Sequence, residues 1–286
     1  MDMKPIKDIL LIPNPGKAIP EERIAALASR LTGQGCRVGI LPEQVERLSC
    51  LGSVVSFTEA SGDAALVLGG DGSIIEASHR LLGSGIPIIG INYGHVGFLS
   101  EIGLDELYLL ERLLTGHFTV EERMMLDAAV TDADGTVRGT FTVLNDIVLT
   151  NGPVSRLISF DVFCGGVRFE TCRADGMIAA TPTGSTAYSL SAGGPVLDPS
   201  IEAFCLTPIC PHTLSSRPVI FRGDAVIRLT NIQPNGASVY LNADGREDLA
   251  IREGDTVEVR RSAHVTKLLR VREDSFLGVL HAKLSQ

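Results

Sequence analysis

Short apolar runs alternate with segments of helical period through the first 117 residues. That alternation restricts this part of the chain to a mostly parallel sheet covered by helices on both faces. Residues 9–12 form an apolar run that ends at Pro13-Asn14-Pro15. Pro20-Glu21-Glu22 opens a helix whose Ile24, Leu27, Ala28 and Leu31 fall at i, i+3, i+4 and i+7, and Gly33 and Gly35 close it. Residues 38–41, 64–68 and 86–91 read as further strands, and 74–82 and 104–114 as helices. Near Phe118 the period changes. From there to about residue 265 the chain shows short alternating strands, with Asp134-Gly135, Asn235-Gly236 and Asp244-Gly245 as hairpin turns. The tail from Ser275 is helical again and is expected to return to the first domain.

One turn in the first region stands out. The strand at 64–68 breaks at Gly69-Gly70-Asp71-Gly72-Ser73, and a helix follows at once. Glycine-rich turns between a strand and a helix hold phosphates, yet this one holds an acid. The dinucleotide pattern G-x-G-x-x-G fails, because starting at Gly70 its last position is Ile75; the Walker A pattern fails because no Lys follows. Asp71 can instead hold Mg²⁺ against a phosphate, or take a proton from a hydroxyl that attacks one. Both roles belong to phosphoryl transfer, and a tight turn with an exposed Asp is the bland alternative.

Residues 173–195 read RADGMIAATPTGSTAYSLSAGGP. An apolar strand at 177–180 leads into seven hydroxyl side chains between Thr181 and Ser191, with Ser185 placed to cap a short helix. Such a stretch suits phosphate and ribose, whereas a polar surface loop is the ordinary alternative. Asn145-Asp146 interrupts the apolar VLNDIVL, where an unsatisfied polar pair is costly, so a binding cleft and a turn compete as explanations. Asp175 precedes the strand at 177–180. Asp132-Ala133-Asp134-Gly135 fails EF-hand spacing, the six histidines show no metal-ligand spacing, and no G-x-S-x-G occurs. A net charge of −9 argues against nucleic acid or anionic membrane as the main partner. No apolar run reaches the roughly 18 residues that span a bilayer, and the N-terminal apolar stretch is too short for a signal peptide. Six cysteines without a CxxC read as reduced thiols of a cytoplasmic protein.

Taken together and in this order, GGDG at 69–72, Asn145-Asp146 and TPTGSTAYSLSAGGP at 181–195 resemble the NAD kinase family. IPNPGK at 12–17, INYGHVGFLSE at 91–101, EERMML at 121–126 and TPICPHTLSSRP at 207–218 extend the likeness over nearly the whole chain. The long hydroxyl-rich motif is specific, whereas lipid kinases and phosphofructokinases share GGDG. The resemblance implies transfer of the γ-phosphoryl of ATP, or of polyphosphate in some members, to the 2′-hydroxyl of the adenosine ribose of NAD. It further implies a divalent ion such as Mg²⁺, held mainly by the ATP phosphates with Asp71 as a further candidate ligand, and a homodimer or homotetramer. With the periodicity it gives an α/β nucleotide-binding domain with a mostly parallel, Rossmann-like sheet at 1–117. A β-rich, sandwich-like dinucleotide-binding domain follows at 118–269, and the tail at 270–286 packs back on the first.

By matching position, the resemblance makes Asp71 the acceptor of the 2′-hydroxyl proton, with Gly70 and Gly72 beside the dinucleotide. Asn145 and Asp146 hold the adenine-side ribose or base, Asp175 the nicotinamide end, and Phe98 packs beside the base. Thr183, Thr186, Ala187, Tyr188, Ser189, Leu190 and Ser191 line the dinucleotide site, Tyr188 reaching across a subunit interface, and Arg156 and Arg173 contact the ligand. Three positions depart from the family: Asp146 replaces the usual Glu, Ser73 replaces Thr, and Arg246 replaces Gln after Asp244-Gly245. A hairpin turn is an equal reading for that last site. The rival functions are another GGDG kinase acting on a lipid or sugar, and a non-enzymatic dinucleotide sensor.

Overall fold

In the strand Ala64–Leu68 every residue is buried, so both faces of its sheet are covered. The structure, a computed structural model, describes residues 3–14, 19–44, 55–56, 61–94, 97–151, 157–213, 216–232, 239–272 and 276–285. It divides into two compact units, Met1–Glu122 with Thr266–Gln286, and Arg123–Val265.

The first unit carries β1 (Asp8–Pro13), β2 (Arg37–Ile40), β3 (Val55–Ser56), β4 (Ala64–Leu68), β5 (Ile88–Asn92) and β6 (Ile102–Gly103), with helices α1 (Glu21–Gly33), α2 (Asp71–Arg80) and α3 (Glu111–Leu114). The strands pair in the order β3-β2-β1-β4-β5, with β6 beside β5, and all of these pairs are parallel. The order therefore reverses between β1 and β4. Ile9 and Leu11 of β1, Leu66 and Leu68 of β4, and Ile89 and Ile91 of β5 share a core with Ile24, Leu27, Ala28 and Leu31 of α1. Gly90 points the other way, and Ile74 of α2 lies over it. Residues 104–114 do not form the single helix their period predicts. A 3₁₀ segment, Leu104–Leu110, precedes α3, and Glu106 is non-helical at φ −114°. The Glu106 carboxylate accepts the Gly103 N–H at 2.9 Å and meets Arg272, which holds this turn in its tighter form.

The second unit begins within β7 (Thr119–Thr131). It continues through β8 (Val137–Val143), β9 (Asp146–Asn151), β10 (Ile158–Cys164), β11 (Val167–Ala174) and β12 (Gly176–Ala180) to the one-turn helix α4 (Tyr188–Ser191). Then come β13 (Ala203–Ile209), β14 (Val219–Arg222), β15 (Ile227–Asn231), β16 (Val239–Ala243), β17 (Glu247–Ile251) and β18 (Thr256–Arg270). One sheet runs β11-β10-β15-β18, with β7 joining β18 to β8; the other runs β14-β13-β12-β9-β16-β17, antiparallel throughout. Phe160, Val162, Leu229 and Val257 of the first meet Leu149, Met177, Phe204 and Leu241 of the second in one core, which makes this unit a sandwich. The change of period at Phe118 precedes β7, and the boundary between the units falls inside that strand, between Glu122 and Arg123.

Asp134-Gly135 joins β7 to β8, with the Asp132 carboxylate accepting the N–H groups of Asp134 and Thr136 at 3.0 and 2.8 Å. Asp244-Gly245 joins β16 to β17 with φ of 50° and 70°, the signs of a type I′ turn. Asn235-Gly236 lies outside the described residues. From Thr266 the chain belongs to the first unit again: Leu268 pairs with Ile88, and helix α5 (Phe276–Leu284) follows. Buried Glu101 fastens this return. Its carboxylate accepts the N–H groups of Val271 and Arg272 at 2.8 and 2.9 Å and pairs with Arg270 at 2.8 Å. Arg270 also meets Glu121 at 2.7 Å, and these partners raise its pKa although burial opposes them. Among the described cysteines Cys36, Cys172 and Cys205 are buried free thiols, Cys210 is an exposed one, and Cys50 lies outside the described residues. No helix among the described residues is long and apolar enough to cross a membrane.

Candidate active site

Strand β4 ends at Leu68, and Gly69-Gly70 turns the chain into α2, whose first residue is Asp71. The reversal of strand order between β1 and β4 places this turn at a switch point, where open α/β sheets bind ligands. The end of β1 is tied to it. The Asn14 N–H donates to Leu68 O at 3.0 Å, and the Asn14 side-chain amide donates to the Ser73 hydroxyl at 2.6 Å. Asp71 itself is fixed. Its carboxylate accepts the backbone N–H groups of Phe98, Leu99 and Ser100 at 2.8, 3.1 and 3.3 Å. Gly97 allows this approach, since a Cβ there would lie 1.9 Å from Asp71 Oδ1. A carboxylate has about four acceptor sites, so three donors orient it and leave room for one more. Gly70 is half-buried and Gly72 exposed. Phe98 is half-buried, with Lys283 Nζ of α5 5.7 Å from its ring centroid.

The second unit brings the other predicted motifs together. Leu144 and Asn145 form a bend between β8 and β9, and Asp146 is the first residue of β9, so the turn and the strand interruption are one feature. Gly184 packs on this bend: a Cβ there would lie 2.1 Å from Asn145 O. Asp146 is only 6% exposed, and no donor among the described residues is hydrogen-bonded to its carboxylate. Burial, and then the negative charge of Asp244, push its pKa from 3.8 up to about 7.

Thr181–Ser191 is not a surface loop: Thr181, Thr183, Ser185 and Ser189 are buried. On the outer face of the second sheet, Val148, Ile178, Ala180 and Cys205 form a small core with Leu197 and Ala192. Ser185 does not cap a helix. It stands inside the 3₁₀ turn Gly184–Thr186, where its hydroxyl donates to Pro182 O at 2.6 Å and accepts the Leu197 N–H at 2.9 Å. Helix α4 has no side-chain cap. Ser189 shares a hydrogen bond with Thr207 at 2.9 Å, and buried Arg123 donates to the Thr183 hydroxyl at 3.2 Å. Thr186, Ala187 and Leu190 are half-buried, while Ser191 and Tyr188 are exposed, Tyr188 at 46%. Asp175 is half-buried between β11 and β12, with exposed Arg173 on β11. Arg246 is exposed on the type I′ turn, and Arg156 lies outside the described residues.

Sequence reasoning overlooked two residues here. Arg123, within EERMML, gives no local signal that it is buried beneath the hydroxyl-rich segment. Asp244, read as a turn residue, also accepts the backbone N–H groups of 144–146. For a metal, the donor set is poor. The described residues hold no cluster of three His, Cys, Asp or Glu side chains, and both Asp71 oxygens already accept N–H bonds. The described residues therefore do not build a cation site of their own.

The sequence matches two family models, the ATP-NAD kinase N-terminal domain over residues 16–118 and the ATP-NAD kinase C-terminal domain over residues 144–271. The NAD kinase of Geobacter sulfurreducens is 44% identical over 262 residues, covering 91% of this chain and 86% of that one. The NAD kinase of Moorella thermoacetica is 40% identical over 278 residues, covering 96% and 88%. The crystal structure of yeast NADH kinase complexed with NADH matches with a TM-score of 0.88 at 25% identity, covering 99% of this chain and 88% of that one. The fold also matches an NAD kinase from Archaeoglobus fulgidus in complex with ATP, at a TM-score of 0.73 and 24% identity, covering 97% and 98%. With an α/β unit bearing GGDG at its switch point and a sandwich bearing the Asn-Asp bend under TPTGSTAYSLSAGGP, the chain belongs to the NAD kinase family.

Proposed function

We propose that this chain transfers the γ-phosphoryl of ATP to the 2′-hydroxyl of the adenosine ribose of NAD, with Asp71 taking the hydroxyl proton. The ribose oxygen forms a bond to the γ-phosphorus, the bond from that phosphorus to the β-γ bridging oxygen breaks, and ADP leaves. Little covalent chemistry falls to the protein in such a step; positioning and charge stabilisation supply most of the acceleration. The observation that carries the reading is the Asp71 carboxylate, held by three backbone N–H groups at the first residue of a helix on a switch-point turn. A carboxylate oriented this way needs no rearrangement to meet an incoming hydroxyl on its remaining acceptor site.

In this reading Asn145 and Asp146 bind the adenine-side ribose hydroxyls or base. Asp175 bonds the nicotinamide end, and the surface side chains of Thr183–Ser191 line the dinucleotide. Phe98 offers its ring to the base, and the α/β unit takes the nucleotide donor. A divalent ion enters with the ATP phosphates, which supply the oxygen ligands that the described side chains do not cluster to provide. The protein works in the cytoplasm as a homodimer or homotetramer. The test is incubation with ATP-Mg²⁺ and NAD, reading NADP through a coupled dehydrogenase. NADP formation is expected. Phosphorylation of diacylglycerol or a sugar without NADP formation would reverse the reading, and tight NAD binding without turnover on any donor would make the protein a sensor.

A further inference from the structure

The bend that carries Asn145 and Asp146 is closed by two residues outside it. Asp244 Oδ2 accepts the Leu144 N–H at 2.7 Å, and Oδ1 accepts those of Asn145 and Asp146 at 2.8 and 3.0 Å. The Asp244 N–H donates back to Asp146 O at 3.0 Å. From the other side, the Thr181 hydroxyl donates to Leu144 O at 2.6 Å and the Thr181 N–H to Asn145 O at 2.9 Å. Every N–H and C=O of residues 144–146 is thus bonded to Asp244 or Thr181.

A hairpin alone does not require this. A type I′ turn needs φ > 0 at both central residues, which Asn-Gly or Gly-Gly supplies as well as Asp-Gly. Here the Asp244 carboxylate is engaged with the bend at the start of β9, beyond its own turn. It also places a second acid close to the buried Asp146, an arrangement that strand pairing gives no reason to keep. The bend presents the two side chains that the proposed function assigns to the dinucleotide.

We propose that Asp244 and Thr181 are positioning residues, which fix the backbone of 144–146 and so aim Asn145 and Asp146 at the dinucleotide. This rests on the reading of Asn145 and Asp146 as ligand-binding residues given above. Asp244→Asn keeps the shape but turns an amide donor toward backbone donors that need an acceptor. Thr181→Val keeps the shape and removes the hydroxyl that bonds Leu144 O and receives the Gly184 N–H at 3.0 Å.

The test is steady-state kinetics with NAD and ATP varied separately, together with calorimetric binding of NAD. Asp244→Asn and Thr181→Val are expected to raise the KM and Kd for NAD about tenfold, a change of ~1.4 kcal/mol. The expected kcat stays within about threefold and the KM for ATP is unaltered, as suits a loss of uniform binding. Thr181→Ser, which keeps the hydroxyl, restores most of the lost affinity. The double variant falls short of the product of the two single effects, because both act on one bend. Should Asp244→Asn fail to fold, the Thr181→Val and Thr181→Ser pair decides, with melting temperatures as the control. Asn145→Ala separates the two levels. If it leaves the Kd for NAD at the parent value, the ligand reading fails and takes this proposal with it. If it weakens NAD binding while Asp244→Asn and Thr181→Val do not, or while those two impair ATP and NAD alike, the positioning role alone is overturned.

Discussion

Asp71 and Asp146 are both acids to which the proposed function gives a role, and their surroundings set them apart. Asp71 is held by three N–H donors, so its replacement has two separable consequences. Asp71→Asn removes the proton acceptor, and kcat is expected to fall on the order of 10²–10⁴-fold in the coupled assay while the Kd for NAD changes little. It also turns an amide toward backbone donors, so urea unfolding should show a loss of ~1–3 kcal/mol. Asp146 has the opposite environment, buried and without a donor among the described residues. Its folded pKa, about 7, lies above its ordinary 3.8. The unfolded chain therefore ionises first. The contribution of Asp146 to stability is whole below about pH 4, declines as pH rises, and is gone above about pH 7. Asp146→Asn removes that decline. Urea melts should show the variant more stable than the parent at pH 8, on the order of a few kcal/mol, and equal to it near pH 4.

At the scale of elements, the site depends on loops held at close quarters. Gly97 admits the Asp71 carboxylate, and Gly97→Ala is expected to displace it and lower kcat at least tenfold, read in the same assay. Further out, Glu101 ties the returning end of β18 to the loop after β5 through two backbone N–H bonds and Arg270. Glu101→Ala removes a buried carboxylate and leaves the half-buried Arg270 with Glu121 as its remaining partner. A loss of ~3–5 kcal/mol is expected in urea unfolding, with faster amide exchange at Val271 and Arg272. The sequence announced most of these elements. The period-3.6 stripe on α1 and the apolar run of β4 needed nothing beyond spacing. The 104–114 segment misled, because its apolar spacing fits a helix while the Glu106 side chain takes the Gly103 N–H and tightens the turn. Ser185 misled for a similar reason. A hydroxyl after a strand reads as a cap, yet this one is consumed by Pro182 and Leu197.

For the whole molecule, ligand binding offers a global readout. NAD at a hundredfold excess over its Kd should stabilise the protein by ~2.7 kcal/mol, seen as a raised melting temperature. That gain should persist in Asp71→Asn and shrink in Asn145→Ala. The sequence by itself determined the class of each unit, the GGDG turn at a strand end, and the specific hydroxyl-rich motif, since these rest on local period and on residue type. It also carried the family resemblance, which spans both units. The tertiary structure alone decided where each polar group is satisfied. Asp71 meets residues 98–100, Asp244 meets residues 144–146, and Arg123 meets Thr183. These partners stand tens of residues apart or more along the chain, and hydrogen-bond capacity is the same for every Asp or Arg until the fold places a donor or acceptor within about 3 Å.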